Sequence, residues 1–184
     1  MGYKQEYDVL DDFGETIAEQ HQLAVARQEI EYLRRMYARA TDQLAQSEDL
    51  SARESGIAIY HRIFAPEADI RAGTSAKALA CTGPDEWAGI VTEALGGYET
   101  TQHLIGTQLV TFNAVEFDEG GIGSGAASMT SYLHAWHVWP NRRLRTVLGT
   151  YIDEVKYVQG IGWQIVYMNL MHTSSEHRML GDPS

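Results

Sequence analysis

Four long segments rich in β-branched and aromatic residues follow one another through the second half of the chain, with only turn-formers between them. They cover residues 100–112, 126–139, 145–158 and 162–171. The separators are Asp118-Glu119-Gly120-Gly121, Pro140-Asn141 and Gln159-Gly160-Ile161-Gly162. Connections this short leave no room for the crossover that a parallel pair needs, so the segments predict antiparallel hairpins. Such a sheet has an apolar face that another element must cover.

The first half of the chain supplies that cover. From residue 18 to 46, Leu23, Ala26, Ile30, Leu33, Tyr37, Ala40 and Leu44 recur at three- and four-residue steps, with Arg27, Glu31, Arg34 and Arg35 on the polar side. The spacing, free of Gly and Pro, predicts one long amphipathic helix. Residues 47–55 read as a loop or short helix, and 56–64 as a short helix stopped by Pro66. One or two weak strands fit residues 68–80. Gly83-Pro84-Asp85-Glu86 opens a helix carrying Trp87, Ile90, Val91 and Leu95, and Gly96-Gly97 ends it. Helices first and then a meander make an α+β domain with helices on one face of a curved antiparallel sheet. The expected division is an N-terminal extension over 1–17, a single domain over 18–172 and a flexible, polar tail over 173–184.

Charge and composition exclude several functions. The chain has 184 residues and a formal net charge of −11, from 14 basic against 25 acidic residues. That balance opposes binding to a phosphate backbone, so no nucleic-acid partner is expected. Asn141-Arg142-Arg143-Leu144-Arg145 is the nearest approach to a basic patch and reads as a solvated hairpin end. Cys81 is the only cysteine, which rules out an intrachain disulfide and a thiolate metal cluster. No apolar run approaches the ~20 residues of a membrane span, and the N-terminus has no signal core; a cytoplasmic protein without a membrane partner is expected.

The chemistry-bearing residues are few. Thr101-Gln102-His103-Leu104-Ile105 places an imidazole inside an apolar strand, either as a hydrogen-bonded core side chain or as a base that titrates near 6.5. Asp42 closes the first helix, where the macrodipole repels an anion unless a buried partner holds it. Tyr37 lies on the apolar face, as core or as a hydroxyl donor. Five residues of ideal helix set Tyr37 and Asp42 about 140° apart, so their convergence requires the helix end to bend or unwind. His134 and His137 stand three apart on a strand and face opposite ways, so no metal site is expected. His137 becomes a pocket donor if it shares the inward face with Ala135; Tyr132, His134 and Trp136 then share the other. Gly120-Gly121-Ile122-Gly123-Ser124-Gly125 has strands on both sides and no helix to receive a pyrophosphate, so it reads as a hairpin loop. Ser128 and Ser131 lack a nucleophile-elbow setting.

Six matches in order give the chain a resemblance: Tyr37-Ala-Arg-Ala-Thr-Asp42, Phe64-Ala-Pro-Glu-Ala-Asp69, Thr101-Gln-His-Leu-Ile-Gly106, Thr130-Ser-Tyr-Leu-His-Ala-Trp-His137, Gly149-Thr-Tyr-Ile-Asp153 and Gly162-Trp-Gln-Ile165. Over residues 29–172 the chain resembles the SnoaL-like branch of the nuclear transport factor 2-like superfamily. The resemblance implies a cone in which a bent sheet wraps a long helix around one pocket. Within that group it is similar to scytalone dehydratase, the bile-acid 7α-dehydratase and the lindane dehydrochlorinase, which eliminate a small molecule across a carbon–carbon bond. By that resemblance Asp42 and His103 form the catalytic pair, joined by Tyr37, and His137 serves as a second pocket histidine. The segments 42–64 and 115–125 are longer than usual in these families, which leaves the substrate open.

The combined expectation is a cofactor-independent lyase of the dehydratase type, acting on a small, largely apolar, aromatic or polycyclic substrate. Trp87, Tyr98, Met129 and Tyr151 are candidate walls of its pocket. The same pair would also serve carbon–carbon cleavage, isomerisation or hydrolysis, and a non-catalytic ligand-binding module remains the alternative from another class. A one-sided sheet also predicts a homo-oligomer, dimeric or trimeric.

Overall fold

A computed structural model describes residues 14–46, 48–73 and 78–181. The first thirteen residues of the expected N-terminal extension lie outside them. Helix α1 (Ile17–Leu44) opens at Thr16, whose hydroxyl accepts the Glu19 amide while the Glu19 carboxylate accepts the Thr16 amide. This reciprocal cap satisfies two of the donors that a helix start leaves unpaired. All seven residues of the predicted apolar stripe are buried. Arg34, assigned above to the polar side, is fully buried as well. Its position, one step from Leu33 and three from Tyr37, keeps it on the covered arc, and a carboxylate on the sheet makes that tolerable.

Helix α2 (Leu50–Ile63) begins six residues earlier than its apolar residues suggested, because Asp49 caps it by accepting the Ala52 amide at 3.0 Å. It accounts for much of the long 42–64 segment and crosses α1 at Gly56. A β-carbon there would come within 3.0 Å of the Ala40 carbonyl oxygen. Strand β1 (Phe64–Ala72) follows directly, then β2 (Leu79–Thr82) and helix α3 (Pro84–Leu95). Gly83 sits between the last two at φ +82°, and a β-carbon on it would lie 2.5 Å from the Pro66 carbonyl oxygen. Only glycine fits that approach.

The meander consists of β3 (Thr100–Asp118), β4 (Gly121–Val138), β5 (Arg143–Val158) and β6 (Gly162–Met179). The sheet order is β2-β1-β6-β5-β4-β3, antiparallel except where β1 runs parallel to β6. The sheet is therefore mixed rather than wholly antiparallel, and it is open, with β2 and β3 as its edges. The parallel pair joins strands separated by β2, helix α3 and the other three meander strands, which is the long crossover such a pair requires. The 115–125 segment is the end of a single hairpin: β3 and β4 continue through it to the turn at Glu119-Gly120.

Register shifts at Gly106/Leu109, Phe112/Ala114 and Glu116/Phe117 break the β3–β4 ladder. Bulges of this kind bend a strand and increase its twist. At the first, Thr107 takes φ +43°, rare for a β-branched residue. The bulge delivers Gln108 onto α1, where its amide donates to the Glu31 carbonyl at 2.9 Å and its carbonyl accepts from Arg35 Nε at 2.9 Å. The strain therefore helps to fold the sheet over the helix.

Residues 173–179, expected above to be part of a flexible tail, are strand. They pair with the first half of β5, from Ser174 opposite Leu148 to Met179 opposite Arg143. Their polarity marks a solvent-facing ladder, since β5 needs a partner along its whole length. Among the described residues no helix is long and apolar enough to cross a membrane.

Candidate active site

The C-terminal end of α1 meets β3 at Asp42. Its carboxylate accepts three hydrogen bonds: Oδ1 from the Thr101 hydroxyl at 2.8 Å and from His103 Nδ1 at 2.7 Å, Oδ2 from the His103 backbone amide at 3.1 Å. These donors offset the unfavourable end of the helix dipole. A carboxylate acceptor puts the imidazole proton on Nδ1, leaving the Nε2 lone pair for the cavity that His103 lines. The ring is nearly buried, with its side chain 7% exposed.

That cavity measures about 220 Å³ and is mostly apolar. Its walls include Trp87, Ile90, Val91 and Leu95 from α3, Leu133 from β4, Val147 and Tyr151 from β5, and Leu170 from β6. Tyr37 contributes from α1. Its hydroxyl accepts the Trp87 indole N–H at 3.2 Å, and its ring stacks on Tyr60 at 5.4 Å and meets Tyr151 edge-on at 5.5 Å. Burial raises the Tyr37 phenol above its ordinary pKa and pushes Tyr60 and Tyr151 well above theirs, so all three keep their protons.

The helix end does not unwind, for α1 continues to Leu44. Tyr37 and Asp42 remain on different sides of it, and no hydrogen bond joins Tyr37 to Asp42 or His103. Asp42 instead supports His103 from behind, and Tyr37 faces the same cavity from below. Beneath Tyr37 lies a buried ion pair between Arg34 and Asp153, where Arg34 Nε donates to Asp153 Oδ2 at 3.1 Å and Nη2 bonds Oδ1. Burial pushes the Asp153 carboxyl up, and the guanidinium charge against it works the other way. The same guanidinium lies 3.9 Å from the Tyr151 ring centroid and 4.4 Å from that of Tyr37.

His137 does share the inward face of β4 with Ala135, and both are buried. His134 packs on the other face against Trp136. The His137 ring stands 5.2 Å from that of His103 and 4.9 Å from that of Tyr98. Burial, with the charges of His103 and Arg145 adding to it, lowers its pKa to about 3. Two of the proposed wall residues stand elsewhere. Met129 is a core side chain whose sulfur accepts from the Gln108 amide at 3.7 Å, and Tyr98 sits behind His137 and Arg145 rather than in the wall.

Arg145 and His172 also line the cavity, beyond the residues the sequence singles out. In the sequence Arg145 belongs to the solvated arginine patch. The alternation Arg145, Val147, Gly149, Tyr151, Asp153 carries the signal that places it on the inward face of β5. His172 carries no such signal, because the β-branched and aromatic pattern stops at Met171 and the strand continues in polar residues.

A family model described as a SnoaL-like domain matches residues 22–169. Among solved structures, one named "Putative Scytalone Dehydratase" from Novosphingobium aromaticivorans aligns at a TM-score of 0.65 and 17% identity, covering 88% of this chain and 93% of that one. A hexachlorocyclohexane dehydrochlorinase, LinA-type3 from Novosphingobium barchaimii, aligns at 0.65 and 11%, covering 89% and 99%. The Kfla4162 protein from Kribbella flavida aligns at 0.64 and 17%, covering 84% and 95%. No match is found among curated proteins. At these identities the structural likenesses establish the fold, a cone of the nuclear transport factor 2-like kind. With the family model spanning most of its length, the chain belongs to the SnoaL-like domain family.

Proposed function

We propose that this protein is a cofactor-independent lyase of the dehydratase type, eliminating water or a similar leaving group from a small, largely apolar substrate. The observation that carries the reading is the 2.7 Å contact between Asp42 and His103 Nδ1 at the edge of an apolar cavity. His103 Nε2 removes a carbon-bound proton, and Asp42 steadies the imidazolium that results. Tyr37 accepts the Trp87 N–H and lines the same cavity, where its proton serves the leaving group or a carbonyl. The apolar wall strengthens each of these interactions by excluding water. Ligand pockets commonly measure about 300–1,000 Å³; at about 220 Å³ the cavity favours one or two rings over a larger polycycle. The two neighbours named for elimination chemistry are consistent with this reading.

Copies of the chain associate through the outer face of the sheet, where Leu104, Leu109, Tyr132 and Leu148 are each at least 40% exposed. The function is tested by screening β-hydroxy carbonyl compounds for loss of water, with His103→Ala and Asp42→Asn as controls. Turnover should disappear in the first and fall steeply in the second, both proteins remaining folded. Full turnover by His103→Ala would reject the mechanism, and ligand binding without turnover in the native protein would favour the binding module.

A further inference from the structure

The cavity contains polar groups that the Asp42–His103 pair does not use. His137 is 5% exposed, and neither of its ring nitrogens has a hydrogen-bond partner. Arg145 lies directly opposite it across the β4–β5 ladder, and His137 lies opposite Thr101 across β3–β4. The Arg145 guanidinium makes one protein hydrogen bond, to the Tyr98 hydroxyl at 3.4 Å, while its Nε is buried without a partner. It forms no ion pair among the described residues. The contrast with Arg34 is direct, since Asp153 matches that buried charge.

A buried, unsatisfied imidazole beside a half-buried guanidinium with no counter-charge is costly to hold in an apolar wall. Both abut the site of the base, with His137 5.2 Å from His103 between ring centroids. We propose that Arg145 and His137 form a subsite for an anionic oxygen of the substrate, either a carboxylate or the enolate oxygen that develops as His103 removes the neighbouring proton. The substrate is then a small, largely apolar acid or carbonyl compound. In the enolate case the C–H bond breaks, its proton goes to His103 Nε2 and its electron pair moves onto the carbonyl oxygen. When the oxygen pair re-forms the carbonyl, the enolate double-bond pair shifts to make the new C=C bond and the C–O bond to the leaving group breaks. The hydroxide leaves as water with the Tyr37 proton, and His103 returns its proton to the tyrosinate, so the sum is loss of water. Arg145, with its planar fork of fixed donors, suits an oxygen on a planar carbon. The proposal deepens the lyase reading and rests on it only for the position of the reacting carbon.

Isothermal titration calorimetry with three probes separates the outcomes: 4-ethylbenzoate, 4-nitrophenol in its ionised form, and neutral 4-ethylbenzamide. At least one anion should bind about tenfold or more tightly than the amide. Preference for the benzoate identifies a carboxylate substituent, and preference for the phenolate identifies an enolate-like oxygen. Arg145→Gln should weaken the preferred anion about 10- to 100-fold, the range for a hydrogen bond to a charged group, with the amide unchanged within about twofold. Retained amide binding shows that the variant is folded, and Arg145→Lys should restore part of the anion affinity. His103→Ala should keep the anion preference, so this proposal and the lyase reading fail separately. The subsite is refuted if the amide binds as tightly as both anions, or if Arg145→Gln weakens all three probes equally.

Discussion

Replacing His137 with Gln should remove a specific part of the protein's sensitivity to acid. The His137 imidazole has an ordinary pKa of 6.5, lowered to about 3 by burial and by the charges of His103 and Arg145 beside it. In the folded protein it is neutral at pH 4.5, whereas in the unfolded chain it has taken up a proton. The unfolded state therefore gains free energy as pH falls below 6.5, at about 1.4 kcal/mol for each pH unit. This contribution is fully present above pH 6.5 and is lost progressively down to about pH 3. By pH 4.5 the loss amounts to ~2.7 kcal/mol in the native sequence and to nothing in His137→Gln. The other ionisable groups are common to both proteins, so their effects largely cancel in the comparison. Urea unfolding of the two at pH 7.5, 5.5 and 4.5 gives the stability difference at each pH. That difference should move by roughly 2–3 kcal/mol toward the variant between the extremes. A difference that stays constant within about 0.5 kcal/mol, the reach of additivity errors, would show that His137 titrates normally and that its environment is wetter than described.

Three further outcomes follow from the same structure. Gly83→Ala should lower stability by about 1–3 kcal/mol in thermal unfolding, because it combines a positive φ with a 2.5 Å approach to Pro66. Asp153→Ala strands the Arg34 charge in the core and should cost about 3–5 kcal/mol, while Arg34→Met with Asp153→Leu should cost much less; chemical denaturation compares them. Tyr132→Lys with Leu148→Glu on the outer sheet face should reduce the molar mass measured by light scattering, and an unchanged mass would place the subunit contact elsewhere.

The meander and the long helix were legible because each carries its period in apolar residues along its whole length. The α1 stripe from Leu23 to Leu44 is such a case. Arg34 was not legible, because a buried charge is indistinguishable from a solvated one until its partner appears, and Asp153 lies 119 residues away. The strand at 173–179 escaped for a related reason: its stability comes from the β5 ladder and not from its own side chains. The Asp42–His103 pair was reached through resemblance and agrees with the geometry of α1 and β3. Arg145 stands within an alternating strand pattern, but its place beside Arg142 and Arg143 suggests solvent.

The parallel contact between β1 and β6 has a bearing on how the molecule comes together. Phe64 stands opposite Ile165, so the chain must close a loop of about 100 residues before those strands can align. The β3–β6 hairpins need only their sequence neighbours and can pair without waiting. Closure across so long a separation is slow by comparison, which makes it the natural late event in folding. Ala72 and Gly73 at the end of β1, with Leu170 and His172 on β6, complete one wall of the cavity. The ligand chamber is therefore assembled in the step that finishes the fold, and a partly folded chain has no site to offer.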